Sequence, residues 1–253
     1  MPAKRAIFVA PFGELSEPRV LAQLAAETEA AGWDGFFVWD HMVYSAPVTH
    51  VADPWVAMAA IAAATSRVRI GALVTPTPRR RIHKLARETV TLDRLSEGRL
   101  VLGVGVGGDA HGEFGPFGEE GDMRERARQL DADLERLMAL WGGEFQPVPV
   151  QQPRIPVWVA ARWPNRRPVR RALRWDGIFP IDLPGPDALA ELVAEVRAER
   201  DDAFEVVVDE PEAGADFRRW EEAGATWCLT GFGKEPREAD VREAIAAGPL
   251  GGG

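Results

Sequence analysis

Leu92-Asp93-Arg94-Leu95-Ser96-Glu97-Gly98-Arg99 runs directly into Leu100-Val101-Leu102-Gly103-Val104-Gly105-Val106-Gly107, and the reading of that junction decides the fold. Residues 82–95 have the apolar spacing of a helix, and Ser96, Gly98 and Arg99 make the turn out of it. Residues 100–106 are a continuous apolar run, too short for a helix. A strand apolar on both faces suits a parallel sheet covered by helices better than a half-exposed antiparallel one.

The same unit repeats in both directions. Strands are expected at 5–10, 35–39, 68–74, 155–160, 177–180, 204–208 and 226–230. Val157-Trp158-Val159 and Val206-Val207-Val208 are of the same continuous type. Helices are expected at 18–31, 54–65, 124–141, 168–174, 187–200, 213–223 and 236–247, with Ser16 as N-cap of the first and Gly32 as its stop. Eight strand–helix units favour a closed (β/α)8 TIM barrel over an open doubly wound sheet. Residues 1–250 are therefore read as one domain, and Gly251–Gly253 as a tail expected to fray.

Composition bounds the function. The chain has 253 residues, 46% hydrophobic and 27% charged, enough for one barrel with a large core. A net charge of −9 argues against nucleic acid as a partner. No stretch has the length or apolarity of a membrane span, and no signal-peptide pattern stands at the N-terminus, so a cytoplasmic location is expected. The single cysteine, Cys228, excludes an internal disulfide framework, and no Cys/His pattern has zinc spacing; no metal is expected.

In such a barrel chemistry sits on the loops that follow the strands. Asp40-His41 follows the second strand: either both serve a ligand, with His41 handling protons, or Asp40 caps the next segment while His41 bonds backbone. Gly105 and Gly107 end the fourth strand, where glycine lets backbone approach a flat ligand; the fragment lacks the rest of a dinucleotide fingerprint. Ala160-Ala161-Arg162-Trp163-Pro164-Asn165 ends the fifth strand before a helix. It is either a phosphate site completed by Arg162 or an ordinary turn with Trp163 over the core. Arg79, Arg80 and Arg81 are either a solvated loop or a site for an acidic ligand tail. Glu113, Glu119, Glu120 and Asp122 are read as a solvated acidic loop, and His50, His83 and His111 as solvated or locally capped. Neither a nucleophile elbow nor a metalloprotease helix is present.

These residues resemble the luciferase-like monooxygenases and their deazaflavin-dependent relatives. The resemblance is carried by the 92–99 and 102–107 segments, and by Gly32-Trp33-Asp34-Gly35, Trp39-Asp40-His41, Asp53-Pro54, Thr75-Pro76, Phe117-Gly118-Glu119, Leu140-Trp141, Ile155-Pro156-Val157-Trp158 and Trp175-Asp176-Gly177, in family order over residues 5–181. It implies a non-covalent FMN or deazaflavin (coenzyme F-420) across the barrel mouth, a small organic substrate, and a homodimer. It places a non-proline cis peptide at Ala72-Leu73 near Thr75, His41 beside the ring, and the phosphate around Ala161, Arg162 and Trp163. Where the family has Gly-Gly after strand five, this chain has Arg162-Trp163. FMN-dependent oxygenation is the first expectation, deazaflavin-dependent hydride transfer the alternative, and a flavin-binding barrel without turnover the second alternative.

Overall fold

The computed structural model describes residues 2–200, 203–210 and 216–249; the glycine tail, the end of the 209–212 loop and the start of the 213–223 helix lie outside them. Its elements alternate in chain order: β1 Lys4–Val9, α1 Pro18–Ala30, β2 Gly35–Val38, α2 Pro54–Ala64, β3 Arg69–Ala72, β4 Thr75–Pro76, α3 Ile82–Leu95, β5 Leu102–Gly105, α4 Met123–Ala139, β6 Val157–Arg162, α5 Arg166–Ala172, β7 Gly177–Ile181, α6 Pro186–Glu199, β8 Glu205–Glu210, α7 Arg218–Glu222, β9 Trp227–Gly231 and α8 Glu238–Ala247. Every strand pair is parallel, in the order β3-β2-β1-β9-β8-β7-β6-β5-β4. A parallel bridge between Ile70 and Leu100 joins the two ends of that order and closes a barrel. The expected TIM barrel is the observed fold.

β3 and β4 are two arms of one barrel strand. The first pairs with β2, the second with β5, and a cis peptide joins Leu73 to Val74 between them. This corrects the expected position at Ala72-Leu73. The Leu73 amide donates to the Val38 carbonyl at 2.9 Å, so the ladder to β2 runs up to the break. Gly103 accommodates the broken strand: a Cβ there would stand 2.4 Å from the Ala72 carbonyl oxygen.

Alternation divides the strand residues into two layers. Phe8, Phe37, Leu73, Trp158, Phe179, Val207, Trp227 and Leu229 fill the barrel, with the Phe37, Trp158 and Trp227 rings 5.5–5.6 Å apart. The intervening residues meet the helices in a second, outer core. Ser16 does not cap α1. Its hydroxyl is spent on the Gly13 carbonyl in a 3-10 turn, and Glu17 takes the N-cap position.

The junction quoted first is scaffold. At the end of α3 the Gly98 amide donates to the Asp93 carbonyl and the Glu97 amide to the Arg94 carbonyl, with Glu97 at φ 54°, which is a Schellman closure. Arg99 then folds back over the C-terminus of α2, donating to the carbonyls of Ala62, Thr65 and Val68 and to the Thr65 hydroxyl at 2.8–3.0 Å. It supplies both donors and positive charge where the helix leaves carbonyls open. Arg99→Met should lower the unfolding free energy by about 2–4 kcal/mol, because several buried acceptors lose their donor. A chemical-denaturation midpoint checks this, and an unchanged midpoint would refute the capping role.

Candidate active site

Because all strands run parallel, the loops that follow them converge on one rim. His41 lies three residues past β2. Its Nδ1 is 2.9 Å from Glu113 Oε2, and Glu113 comes from the loop between β5 and α4. The other carboxylate oxygen accepts from the Met42 amide at 2.8 Å and from Arg79 Nη1 at 2.6 Å. Glu113 is thus a buried anchor with a 3% exposed side chain, a correction to the reading of it as a solvated loop acid. Burial pushes its carboxyl up. The hydrogen bond and charge of His41, the Met42 amide and Arg79 outweigh that and hold it below its ordinary value.

Asp40, read from sequence as serving a ligand or capping the next segment, is instead buried beneath the rim. Its side chain is 0% exposed and receives Arg79 Nη2 at 2.7 Å, Arg80 Nη2 at 2.8 and 2.9 Å, and Trp55 Nε1 at 3.3 Å. Burial raises its carboxyl, and the two guanidinium groups more than reverse the effect. Arg79, at 1% side-chain exposure, joins Asp40 to Glu113 and so fixes the partner of His41. Arg79 and Arg80 are therefore committed inward, leaving Arg81 as the exposed member of that cluster.

His41 itself keeps 25% of its side chain exposed. Its ring stands 5.0–5.9 Å from those of Phe12, Trp39, Tyr44 and His111, and Tyr44 and His111 stack at 3.8 Å. His111, read from sequence as solvated or locally capped, packs on Tyr44 and bonds the Ser45 hydroxyl through Nδ1 at 3.0 Å. The result is an aromatic wall with one imidazole–carboxylate pair set in it. That pair can accept or deliver a proton at an atom placed over the barrel.

The floor of the mouth is apolar. Trp39, Val74 and Ile181 lie partly exposed on top of the inner core, with Ala160 small beside them. Neighbouring residues named from sequence are displaced from it by strand parity. Leu73 is packed within the barrel, and Ala72 and Ala161 are buried in the outer layer, so Ala160, also named from sequence, and Val74, which was not, are the residues that face the mouth. Thr75 is fully buried in β4. Nor do Gly105 and Gly107 leave a gap for a ligand. The space a Cβ would fill is taken by Val74 Cγ2 at 2.8 Å for the first and by the Phe114 ring, 2.6 Å away, for the second.

At the opposite side of the rim, Arg162 is 66% exposed and paired with Asp182. Trp163 leans on the outer core with Arg166 over its ring, and the Asn165 side chain makes no cap bond to α5. Asp209 was not named as a site residue from sequence. Val207 faces inward and Val208 outward, so Asp209 faces inward at the end of β8, and parity alone could have found it. Its side chain is exposed at the strand end, yet the protein packed around it strips part of its hydration. That desolvation, with the charges of Glu210 and Asp182, pushes its carboxyl up to about 6. Glu113 had no comparable signal, being 72 residues from His41.

Among the described residues no group of three or more His, Cys, Asp or Glu is placed to hold a metal, and no helix is long and apolar enough to cross a membrane.

Residues 7–220 match the family described as luciferase-like monooxygenase. An uncharacterized protein of Mycobacterium tuberculosis is 32% identical over 208 residues, covering 74% of this chain and 71% of that protein. An F420-dependent glucose-6-phosphate dehydrogenase of Amycolatopsis mediterranei is 33% identical over 167 residues, 58% of this chain; the match spans about half, 49%, of that enzyme's length. The fold is similar to that of an F420-dependent secondary alcohol dehydrogenase solved with an F420-acetone adduct, at TM-score 0.76 and 17% identity over 97% of each chain. It is also similar to that of a type II Baeyer-Villiger monooxygenase of Pseudomonas putida solved with FMN, at TM-score 0.66 and 17% identity over 85% of this chain and 69% of that one.

Proposed function

The chain belongs to the luciferase-like monooxygenase family of oxidoreductases, and from that premise we propose that it transfers hydride between a deazaflavin of the F420 type and the carbinol or carbonyl carbon of a small organic substrate. The observation that carries this reading is the His41–Glu113 pair at 2.9 Å, held by a buried arginine at the edge of an apolar floor. Oxidising an alcohol releases one hydride and one proton, and the pair is built to take the proton. The F420-dependent names of relatives at about one-third identity support the same direction.

The residues present suit a flat ring with an acidic tail. Trp39, Val74, Ala160 and Ile181 would hold the ring by apolar contact, since none brings a charge to the floor. Arg162 and the turn through Trp163 to Asn165 would take the acidic end, although Asp182 already shares the Arg162 charge. When bound, the deazaflavin supplies the hydride acceptor or donor; the chain supplies position and proton traffic. His41 would take the proton from the substrate hydroxyl in the oxidative direction and return it in the reductive one. Glu113 would fix the ring orientation of His41 and stabilise its protonated form, while Arg79 and Asp40 keep Glu113 in place. The aromatic wall would keep bulk water from the transferred hydride.

Absorbance titration of the purified protein with F420, and separately with FMN, tests the reading. Saturable binding of F420 together with its reduction by an alcohol is the expected result. Binding of FMN without F420 would replace it with oxygenation of the substrate, and binding of neither would leave a barrel without this chemistry.

A further inference from the structure

The apolar floor of the mouth has a different polar group at each end. At one end stands His41 in its aromatic wall. At the other, β8 ends in Asp209, and its inward direction is fixed from both sides. Val207 and Val208 alternate inner and outer below it, and Glu210 above it turns outward to accept from Trp220 Nε1 at 2.6 Å. Asp209 is the register partner of Leu229, an inner-core residue of β9, and the β7–β8 register carried forward sets it level with Ile181. Between the two ends, Trp39 and Ile181 lie over Phe8 and Phe179, with the Phe8 ring 6.0 Å from Trp39 and 5.9 Å from Phe179. That strip carries no charge.

The charges around the mouth cancel, with one exception. Arg79 and Arg80 are bound to Asp40 and Glu113, and Arg162 to Asp182. Asp109 lies within reach of the Arg126 charge. Lys234 and Glu235, both exposed in the loop after β9, are of opposite sign. Asp209 has no hydrogen bond or ion pair to another side chain among the described residues, and the charges acting on it are those of Glu210 and Asp182, both negative. A partly desolvated carboxylate without a cation is matched best by a cation that the ligand brings. The net charge of −9 also favours the approach of cations over anions.

We propose that the substrate is a small alcohol bearing an ammonium group, or the corresponding ketone, lying across the floor with its oxygen at His41 and its ammonium at Asp209, so that Asp209 determines specificity. The reacting end rests on the deazaflavin reading. The charged end rests on the lining of the mouth alone, so the two can fail separately. The Asp209 carboxyl, pushed up to about 6, is still ionised in most molecules at neutral pH, and an adjacent ammonium would hold it so. An acidic cofactor end drawing on Arg162 would release Asp182 from its partner, which strengthens the same preference.

Isothermal titration at about pH 7.5, where amines are protonated and carboxylates ionised, measures the preference with three rigid alcohols of similar shape. They are trans-4-aminocyclohexanol, trans-4-methylcyclohexanol and trans-4-hydroxycyclohexanecarboxylate, added to the whole protein alone and to the protein saturated with whichever of F420 and FMN it binds. The amine should bind saturably at one site, about tenfold or more tightly than the methyl compound, as one charged hydrogen bond provides, and the carboxylate should bind least. Asp209→Asn should bring the amine to within about twofold of the methyl compound, with the affinity for the methyl compound and the thermal midpoint unchanged. Glu210→Gln, which removes a neighbouring charge from the outer side, should retain the preference. The proposal is overturned if the amine binds no more tightly than the methyl compound, if none of the three saturates, or if Glu210→Gln erases the preference as fully as Asp209→Asn. Preference for the amine in a protein that binds neither cofactor would uphold it and sink the deazaflavin reading; F420 binding without that preference would do the reverse.

Discussion

Replacing Arg79 with methionine is expected to cost about 3–5 kcal/mol of stability, because it strips the shared cation from two buried carboxylates. Asp40 and Glu113 are 0% and 3% exposed at the side chain, and Arg79 makes bonds of 2.7 and 2.6 Å to them. Methionine preserves much of the stem's packing, so the loss is electrostatic and not a cavity effect. For a chain of this size the thermal midpoint should fall on the order of 10 °C.

The pH dependence separates this cause from others. Both carboxyls are held below their ordinary values in the folded protein, so their stabilisation is present above about pH 4, the unfolded range, and disappears as the pH falls below it. In Arg79→Met burial is less opposed, so ionising these groups becomes a penalty that grows as the pH rises through the same range. The gap between variant and wild type should therefore be wider at pH 7 than at pH 4. Equal gaps at the two pH values would show that the ion pairs do not carry the effect.

His41→Ala is expected to lower kcat for deazaflavin-linked turnover by about 10²–10⁴-fold, the range for removal of a positioned proton-transfer group. Cofactor binding should persist in the absorbance titration, because the floor of Trp39, Val74, Ala160 and Ile181 is untouched. Added imidazole should restore part of the rate by entering the space left beside Glu113. A variant with kcat within a few-fold of wild type would remove His41 from the reaction. One that regains nothing from imidazole and no longer binds the cofactor would make its role architectural.

The barrel was legible because its signals are local. Helix boundaries fell within a few residues of expectation where the described residues allow comparison, as at Pro18–Ala30 and Ile82–Leu95, since each rests on apolar spacing and on Pro or Gly stops. The short apolar runs identified parallel strands for the same reason. Less legible was which members of a rim segment face the ligand. Ala72 and Ala161 were reasonable by proximity, yet strand parity turns them to the outer layer, and the Trp163 side chain packs on that layer from the turn after β6. Gly105 and Gly107 looked like space for a ring, and the space belongs to Val74 and Phe114.

By itself, then, the sequence determined a parallel (β/α)8 barrel, the rim formed by the loops that follow its strands, and His41 as a group on that rim. Those features follow from periodicity and chain order, which are written residue by residue. Only the tertiary structure decided that Asp40 is buried under two arginines, that Glu113 comes 72 residues along the chain to hold His41, and that Asp209 looks into the mouth. The physical reason is that an ion pair or a ring contact depends on distance in space. Loop closure brings together partners that have no fixed separation along the chain, so composition and spacing cannot name them.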